Sequence, residues 1–426
     1  QVGFITAGLN RGFKGKWSSG VGEEKSGVLQ PLSRLSYLDF LSHCRRVVLD
    51  FDTGMKLQGP RRLHPTQFGY FCTSETPNGS SIGITKNLSI LTAVSLSMNP
   101  AVFNNWLYKM GVLEVSELTP LMMKVAVPVY VNAGIVGYTL KPLKLVEICK
   151  LLKYTGCLPP YSSISFNITE RKVSFYFDEG RPERPLIVLE NGRYPYERIQ
   201  KKDTWRNIVM GTYKKTLEVD ITSTKFIDPL IDLETPTFDD YIKELKPFCG
   251  FVEYVDPYES NEIYIAMYPE VIKKETTHVE LHPSTIVGLL TSMIPFPNHN
   301  QSPRNQLSCS QSKQGLSIFS TNYPNRYDNQ THVLCYGEAP LVRTLYYDYV
   351  ADGQIGYGHN LVLAMGIFSG YNQEDGIVFN ADSVARGMFR NITFRSYEAF
   401  EEDDVKSNTK TRIANPAATP GWTQLR

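Results

Sequence analysis

Apolar residues recur with two different periods along this chain, and these periods predict separate helical and β-rich stretches. Spacings of three and four residues predict amphipathic helices over 33–46, 87–98 and 283–294. The first of these ends near the basic pair Arg45 and Arg46, which suits the carboxyl end of a helix. Pro283 suits the first turn of the last one, and two prolines that follow it should end it.

Strand-like runs separate the helical stretches. The runs 125–131 and 135–140 flank Asn132-Ala133-Gly134 and predict a β-hairpin. Further strands are predicted over 173–177, 186–189, 251–255 and 263–267. Helices and strands alternate without an internal repeat over 426 residues, which predicts a mixed α/β (α+β) protein of several domains.

A polar run at 370–376 places two adjacent carboxylates, Glu374 and Asp375, between short apolar stretches. Strand-forming flanks around a polar centre predict a tight turn. Two carboxylates on one turn are costly in a core but useful beside a divalent cation. The residues alone leave an alternative open, an ion pair with a neighbour such as Arg386 or Arg390. The flanking apolar stretches are 361–367 and 377–379.

Composition permits a core but does not identify a partner. The chain is 42% hydrophobic and 20% charged, with a formal net charge of +1. Residues 1–100 contain eleven basic and six acidic side chains, so this segment is net basic. Such clustering permits phosphate contacts, although a solvated basic face is the commoner interpretation.

Seven scattered cysteines, none in a CxxC pair, indicate the reduced thiols of the nucleus or cytoplasm. They argue against a disulfide scaffold and against a zinc knuckle. No apolar run reaches the roughly 18 residues of a membrane span, so we expect no membrane partner. The chain starts at Gln1, and neither end has the character of a natural terminus, so we expect a piece of a longer polypeptide.

Three other polar segments are candidates for binding. Arg61 and Arg62, followed by 75–79, are suited to hold phosphates, and a surface turn explains them equally well. The dense polar run 299–305 fits a rigid loop that contacts phosphates or base edges, with a polar connection as the alternative. Ser312-Lys313-Gln314 follows shortly after it. Residues 12–17 lack P-loop spacing, and 278–282 is not a zinc motif.

Seven motifs occur in a fixed order along the chain, at 42–46, 62–69, 72–79, 83–88, 294–305, 369–375 and 386–390. Together they resemble the second-largest, β-type subunit of multisubunit DNA-dependent RNA polymerases. The similarity runs from about residue 27 to residue 400. Two motifs, Leu41-Ser42-His43 with Arg45-Arg46 and His299 to Asn305, favour the eukaryotic, archaeal and large-DNA-virus branch over the bacterial one.

The resemblance implies a division into fork, external, hybrid-binding and wall regions, with a barrel in the hybrid-binding part. Residues 1–95 would form the fork region and the end of the lobe. The external domains 1 and 2, the first part of the hybrid-binding domain and a truncated start of the wall would occupy 96–180, 181–285, 286–392 and 393–426.

The resemblance also implies catalytic roles in template-directed RNA synthesis by two-metal phosphoryl transfer. Glu374 and Asp375 look like the acidic pair beside the second, nucleotide-borne Mg²⁺, a site shared with the largest subunit. Arg304 is similar to the arginine that contacts the phosphates of the incoming nucleotide. Glu75 would lie on the trigger-loop side of the site, and residues 50–59 would form a fork loop.

Other residues would contact nucleic acid or complete the site with partner subunits. Gln314 resembles a contact to the RNA–DNA hybrid. The remaining nucleic-acid candidates are Lys313, Arg61, Arg62, Gln301 and Asn305. The implied partners are the largest polymerase subunit, assembly subunits, the DNA template, the hybrid and nucleoside triphosphates. The implied cofactor is Mg²⁺, with no zinc in this part, and the fragment alone should be inactive.

Three departures from the family pattern indicate a divergent lineage, such as a viral one. Gly376 follows Asp375 where a small hydroxyl residue is usual, Asn78 replaces a glutamate, and Ser312 replaces a glycine. Two other hypotheses stay open. One is a non-catalytic homologue or an assembly and nucleic-acid-binding module that keeps the fold. The other is an independent metal-dependent phosphohydrolase, which predicts hydrolysis of nucleotides by this chain alone.

Overall fold

The computed structural model describes residues 2–13, 17–18, 24–25, 30–49, 51, 53–190, 192–195, 203–233, 236–318, 320–353, 356–404 and 409–415. It divides the chain into two compact units. One unit is Arg45–Ser310, and the other combines Gln1–Cys44 with Gln311–Arg426. The mixed α/β class predicted from the sequence is confirmed, with several small sheets in place of one large sheet.

Helices occur throughout the described residues, and most are short. They are α1 (Val2–Phe13), α2 (Tyr37–Cys44), α3 (Ala101–Lys109), α4 (Pro120–Met123), α5 (Pro142–Tyr154), α6 (Trp205–Met210), α7 (Phe238–Leu245), α8 (Pro257–Ser260), α9 (Leu289–Ser292), α10 (Ser302–Ser312), α11 (Leu345–Tyr349) and α12 (Ala381–Ala385).

The strands form sheets of two to five members. They are β1 (Trp17–Ser18), β2 (Glu24–Lys25), β3 (Arg46–Val48), β4 (Thr85–Asn87), β5 (Ala93–Val94), β6 (Val127–Val131), β7 (Gly134–Thr139), β8 (Ser163–Asn167), β9 (Lys172–Tyr176), β10 (Pro182–Val188), β11 (Val252–Val255), β12 (Ile265–Ala266), β13 (His278–Glu280), β14 (Gln330–Leu334), β15 (Asn391–Arg395), β16 (Glu402–Asp404) and β17 (Thr409–Thr411).

A four-stranded sheet in the order β7-β6-β9-β8 anchors the Arg45–Ser310 unit. The predicted hairpin is confirmed as the antiparallel pair β6–β7. Asn132 and Ala133 adopt φ values of 47° and 64° at its turn, as a tight hairpin with two left-handed residues requires. Strand β9 then pairs with β6 in parallel and with β8 in antiparallel fashion.

Helices α3, α5 and α7 contribute to one aromatic core with this sheet. Phe103 is completely buried and stacks on Trp106, with ring centroids 5.4 Å apart. The Trp106 indole donates a 2.8 Å hydrogen bond to the hydroxyl of Tyr241, so its one polar group is satisfied. Apolar burial around these rings therefore stabilises this unit.

A second sheet, β11-β10-β13-β12 with β5 against β10, encloses an unusual cluster of buried charges. Lys153 lies within 3.3 Å of both Glu253 and Glu259. His278 contacts the other oxygen of Glu253 at 3.1 Å. Burial of this kind is tolerated because every ion has a partner of opposite charge, whereas an unpaired ion would cost several kcal/mol.

Two of the predicted helices are wrong, and the reason is that they pair with each other. Residues 87–98 are extended, and Ser89 forms a bridge with Gly288 inside the predicted 283–294 helix. The amide of Ile90 donates to the carbonyl of Val287 over 2.9 Å. A short 3₁₀ turn, Pro283–Ile286, and the single turn α9 are what remains of the second helix.

Other predicted boundaries shift. The helix predicted over 33–46 begins at Tyr37 and ends at Cys44, because Arg46 already pairs in β3. The strands over 173–177, 186–189 and 251–255 are confirmed to within a few residues, and that over 263–267 shrinks to two. The apolar stretches 361–367 and 377–379 are not strands, and their side chains are largely exposed.

Candidate functional site

The two adjacent carboxylates lie on a tight turn, as the sequence predicts. The amide of Gly376 donates to the carbonyl of Gln373 over 2.9 Å, which closes a four-residue turn. Its central residues, Glu374 and Asp375, have φ values of 49° and 70°. Two successive left-handed residues are the pattern of a type I′ turn, for which glycine and asparagine are preferred. A glutamate there costs on the order of 1–3 kcal/mol, so the turn is strained.

Asparagine and glycine groups next to this turn hold it in place. The Asn372 side chain donates to the carbonyl of Gly366 over 2.6 Å and accepts from the amide of Phe368 over 3.1 Å. Gly370 takes a φ of 79°, which a side chain would disfavour. The strained residues are therefore fixed by a local hydrogen-bonded scaffold.

Neither carboxylate is neutralised by the described part of the chain. Glu374 and Asp375 are exposed, and no basic side chain of a described residue comes within ion-pair distance. Arg386 instead donates weakly to the Ser383 hydroxyl at 3.4 Å. The ion pair with Arg386 or Arg390 that the sequence left open is thus not found among these residues. A strained turn with two unpaired carboxylates is the kind of feature that marks a functional site.

The polar run predicted as a loop at 299–305 is instead the start of a helix. A 3₁₀ turn, Pro297–His299, leads into α10, which carries Arg304 in its first turn. The Arg304 side chain is exposed and has no hydrogen bond or ion pair with a described residue. Its guanidinium is available for an external anion, as the sequence predicts.

Asn305 and Gln301 have different positions beside this arginine. Asn305 is 5% exposed and donates to the carbonyl of Pro297 over 2.7 Å. Its side-chain oxygen accepts from Asn300 at 3.2 Å. Asn305 therefore fixes the entry into α10, whereas Gln301 is exposed and its carbonyl accepts from the Arg304 amide over 2.9 Å. The exposed side chain of Gln301 can therefore contact nucleic acid in this geometry.

Arg61 uses its guanidinium to organise a loop. It donates to the carbonyls of Thr53 and Met55 at 2.9 and 3.1 Å, and to those of Ser80 and Ile82. Arg62 donates to the Gln58 side chain over 2.9 Å and is otherwise exposed. Of the two arginines, Arg62 has more capacity left for a phosphate. Residues 50 and 52 of the predicted fork loop lie outside the described residues.

Glu75 is buried in the Arg45–Ser310 unit at 2% exposure. Its carboxylate packs beneath Gly288, where an added Cβ would lie 3.2 Å from one oxygen. Burial lowers the pKa of Arg45, and the negative charge of Glu75 opposes that shift. The trigger-loop-side role of Glu75 stays a prediction, and in this conformation the side chain faces the protein.

Lys313 and Gln314 belong to the other unit, together with Glu374 and Asp375. The carbonyl of Lys313 accepts a 2.7 Å hydrogen bond from the Ser36 hydroxyl, which ties Lys313 to the segment before α2 within this unit. Gln314 is exposed, and its backbone amide donates to the carbonyl of Gln311 over 3.0 Å. The predicted site residues are thus divided between two units, with the remaining ones in Arg45–Ser310.

The described residues contain no group of three or more His, Cys, Asp and Glu side chains arranged to hold a metal ion. They also contain no helix long and apolar enough to cross a bilayer.

Sequence reasoning missed the residues that support α10 from below. Gln306 reaches the 76–78 turn, and the hydroxyl of Thr291 lies 3.2 Å from the sulfur of Cys72 and 3.3 Å from that of Cys309. Their separations of 219 and 18 residues leave no local signal.

Three family models match the chain in order, all from one polymerase subunit. RNA polymerase Rpb2 domain 3 matches residues 30–94, domain 4 matches 129–190, and domain 6 matches 290–423. The chain belongs to the family of second-largest RNA polymerase subunits. The resemblance inferred from seven motifs is confirmed. Domain 6 covers both the turn with Glu374 and Asp375 and the helix with Arg304.

Relatives from distant organisms match almost the whole chain. The DNA-directed RNA polymerase III subunit RPC2 of Saccharomyces cerevisiae is 33% identical over 393 residues, which is 92% of this chain and 31% of the relative. The subunit Rpo2 of Sulfolobus acidocaldarius is 32% identical over 415 residues, 95% of this chain and 34% of the relative. The RNA polymerase II subunit RPB2 of Encephalitozoon cuniculi is 31% identical over 88% of this chain and 31% of its own length. The Rpb2-family chain therefore spans about a third of the length of these relatives.

Proposed function

We propose that this chain is the part of an RNA polymerase second-largest subunit that borders the catalytic centre and takes part in template-directed RNA synthesis. The observation that carries the proposal is the strained turn in domain 6, which presents two unpaired carboxylates to solvent. A fold that had lost its catalytic role would gain stability by relaxing this turn or by pairing its charges.

The donor set of the turn fits Mg²⁺ in part. Carboxylate oxygens are hard ligands that Mg²⁺ accepts, usually one or two at a time with several waters and substrate phosphates. Glu374 and Asp375 would supply such oxygens, directly or through water, and the largest subunit would supply the rest. When bound, the ion neutralises charge on the transferring phosphate. Glu374 and Asp375 contribute negative charge to that centre from a turn that does not have to reorganise.

Arg304 has the complementary role in this proposal. Its guanidinium is exposed on a helix that is held at several points, so it offers fork-like donors to the nucleotide phosphates. Gln301, Arg62, Lys313 and Gln314 provide the contacts to template and hybrid. Arg61 and Asn305 instead stabilise the loops from which these contacts are made. The five-domain division, with fork, external, hybrid-binding and wall regions, belongs to the same proposal.

The partners follow from this division of residues. The largest subunit, assembly subunits, DNA, the RNA–DNA hybrid and nucleoside triphosphates are required, and the full polymerase would work in the nucleus or cytoplasm. We propose no activity for the chain alone.

Asp375→Asn tests the proposal, because it keeps the side-chain volume and the tolerance of left-handed backbone while it removes the charge. In polymerase assembled with this chain in its full-length subunit, nucleotide addition should slow by roughly 10²–10³-fold, with template binding little changed. Asp382→Asn, an exposed acid in α12 of the same unit, is the matched control. Equal elongation rates in Asp375→Asn and wild type would overturn the catalytic assignment. An assembled wild-type complex that binds DNA but makes no RNA would favour the non-catalytic module.

A further inference from the structure

A single side-chain amide joins two motifs that are far apart in the sequence. The Nε2 group of Gln306, on α10, donates to Asn78 Oδ1 at 2.8 Å. It also lies 3.4 Å from the carbonyl of Thr76 and 3.3 Å from that of Pro77. The two backbone carbonyls can only accept, so the nitrogen end of the Gln306 amide faces the turn. The contact spans 228 residues of sequence inside the Arg45–Ser310 unit.

This contact is one of three that hold α10 on the side away from Arg304. Asn305 binds the carbonyl of Pro297 ahead of the helix, and Cys309 contacts Thr291 further along. Gln306 follows Arg304 by two positions, which places the two side chains about 200° apart around the helix axis. Arg304 therefore points away from the surface on which Gln306 is anchored.

We propose that Gln306 and Asn78 form a positioning pair that fixes Arg304 against the incoming nucleotide. This inference rests on the proposed polymerase function. The pair works because Asn78 offers an acceptor and Gln306 offers a donor. Neither residue touches the nucleotide, so each acts through the placement of α10. A helix free to shift by a fraction of an ångström would bind nucleotide phosphates less well while the chemistry stays intact.

The test uses polymerase assembled with the full-length subunit and measures KM and kcat for nucleotide addition. Gln306→Ala and Asn78→Ala should each raise KM by roughly five- to tenfold, because each removes the hydrogen bond between these two side chains, with kcat little changed. Gln306→Glu places a carboxylate against three oxygens and should be worse than alanine. Asn78→Asp keeps the acceptor and should retain a KM near that of wild type. Gln311→Ala, at an exposed position near the end of the same helix, is the control.

The double variant Gln306→Ala with Asn78→Ala should be no worse than Gln306→Ala alone, since that substitution already removes the contact with Asn78. A kcat that falls with KM unchanged would mark a merely structural role and overturn the inference. So would a wild-type KM in Gln306→Ala.

A second readout does not depend on catalysis: in the 426-residue chain, Asn78→Ala should speed amide hydrogen exchange in α10. If the wild-type polymerase makes no RNA but Asn78→Ala still speeds amide hydrogen exchange in α10, the proposed polymerase function is wrong. The structural contact between Gln306 and Asn78 is then supported on its own. Unchanged exchange in α10 would overturn the pair in either case.

Discussion

At the scale of single residues, the acidic turn combines a backbone cost with an unpaired charge. Glu374 has no ion-pair partner in the described part of the chain and adopts a φ of 49°. Glycine takes this conformation without the steric cost that a Cβ brings. Replacing Glu374 by glycine would therefore raise the free energy of unfolding, but it would remove the carboxylate.

Glu374→Gly should accordingly separate stability from activity. The free energy of unfolding of the chain should rise by about 1 kcal/mol, measured by denaturant titration, because the left-handed strain is relieved. Nucleotide addition by the assembled polymerase should fall. The same substitution at Glu398, an exposed position without positive φ, should not raise the free energy of unfolding. A variant that loses stability would show that the turn is not strained at Glu374.

Arg304 gives a second prediction at this scale. Arg304→Ala should raise the apparent KM for nucleotide by at least tenfold, because a charge-assisted contact to phosphate is lost. Arg304→Lys should recover part of the affinity, since a lysine keeps the charge without the planar fork. Lys225→Ala, which removes an exposed basic side chain elsewhere in the same unit, is the control. A change confined to DNA affinity would contradict a nucleotide-binding role.

At the scale of elements, the β6–β7 hairpin is a local feature with a simple energetic test. Ala133 sits at its turn with a φ of 64°, where alanine pays the steric penalty of left-handed backbone. Ala133→Gly should stabilise the chain by up to about 1 kcal/mol in thermal or denaturant unfolding. Ala101→Gly, in the first turn of α3, should destabilise it by a similar amount. If both variants destabilise, the turn does not carry the strain that its φ indicates.

The hairpin also shows which elements a sequence can predict. Its two strands are adjacent along the chain, and the turn residues between them carry their own conformational preference. Segments 87–98 and 283–294 have a helical spacing of apolar residues, yet they pair with each other at Ser89 and Gly288. Gly288 packs so closely that an added Cβ would lie 2.9 Å from the Cβ of Cys72. This close packing is imposed by a residue far away in the sequence, so the local spacing of apolar residues does not predict it.

The same distinction separates the parts of the candidate site. The acidic turn and the exposed Arg304 could be recognised from the residues and their family motifs. The inward positions of Asn305 and Arg61 could not, because an amide or a guanidinium binds backbone carbonyls as readily as phosphates. Polarity in a sequence thus identifies hydrogen-bonding capacity, and the fold decides whether that capacity faces the protein or a ligand.

At the scale of the whole molecule, the buried charges of the Arg45–Ser310 unit link its stability to pH. Arg181 contacts Glu183 at 2.9 Å and Asp256 at 3.0 Å, next to the group around Lys153. Burial raises the pKa of Glu183 to about 8, although Lys153 and Arg181 pull it down. Burial likewise raises the pKa of Glu259 to about 7. The basic neighbours Lys150 and Lys153 overcome burial at Glu253 and hold its pKa well below the ordinary value.

These shifts act on stability in different pH windows. In the unfolded chain Glu183 would titrate near its ordinary value of 4.5, whereas in the folded chain it keeps its proton up to about 8. The folded state therefore binds more protons between these values, and its stability falls as pH rises through this window. A single group contributes at most about 1.4 kcal/mol per pH unit. The depressed pKa of Glu253 has the opposite sign and acts below pH 4.5.

Glu183→Gln should flatten this dependence, because glutamine keeps an oxygen that accepts from Arg181 and cannot lose a proton. The free energy of unfolding of the variant, measured by denaturant titration from pH 5 to pH 8, should decline less steeply than that of wild type. Some decline should persist through Glu259, whose pKa of about 7 places its loss in the same window. Glu398→Gln, at an exposed position, should leave the wild-type slope unchanged. Equal slopes in Glu183→Gln and wild type would mean that Glu183 is already ionised in the folded chain, and that Arg181 outweighs the cost of burying its charge.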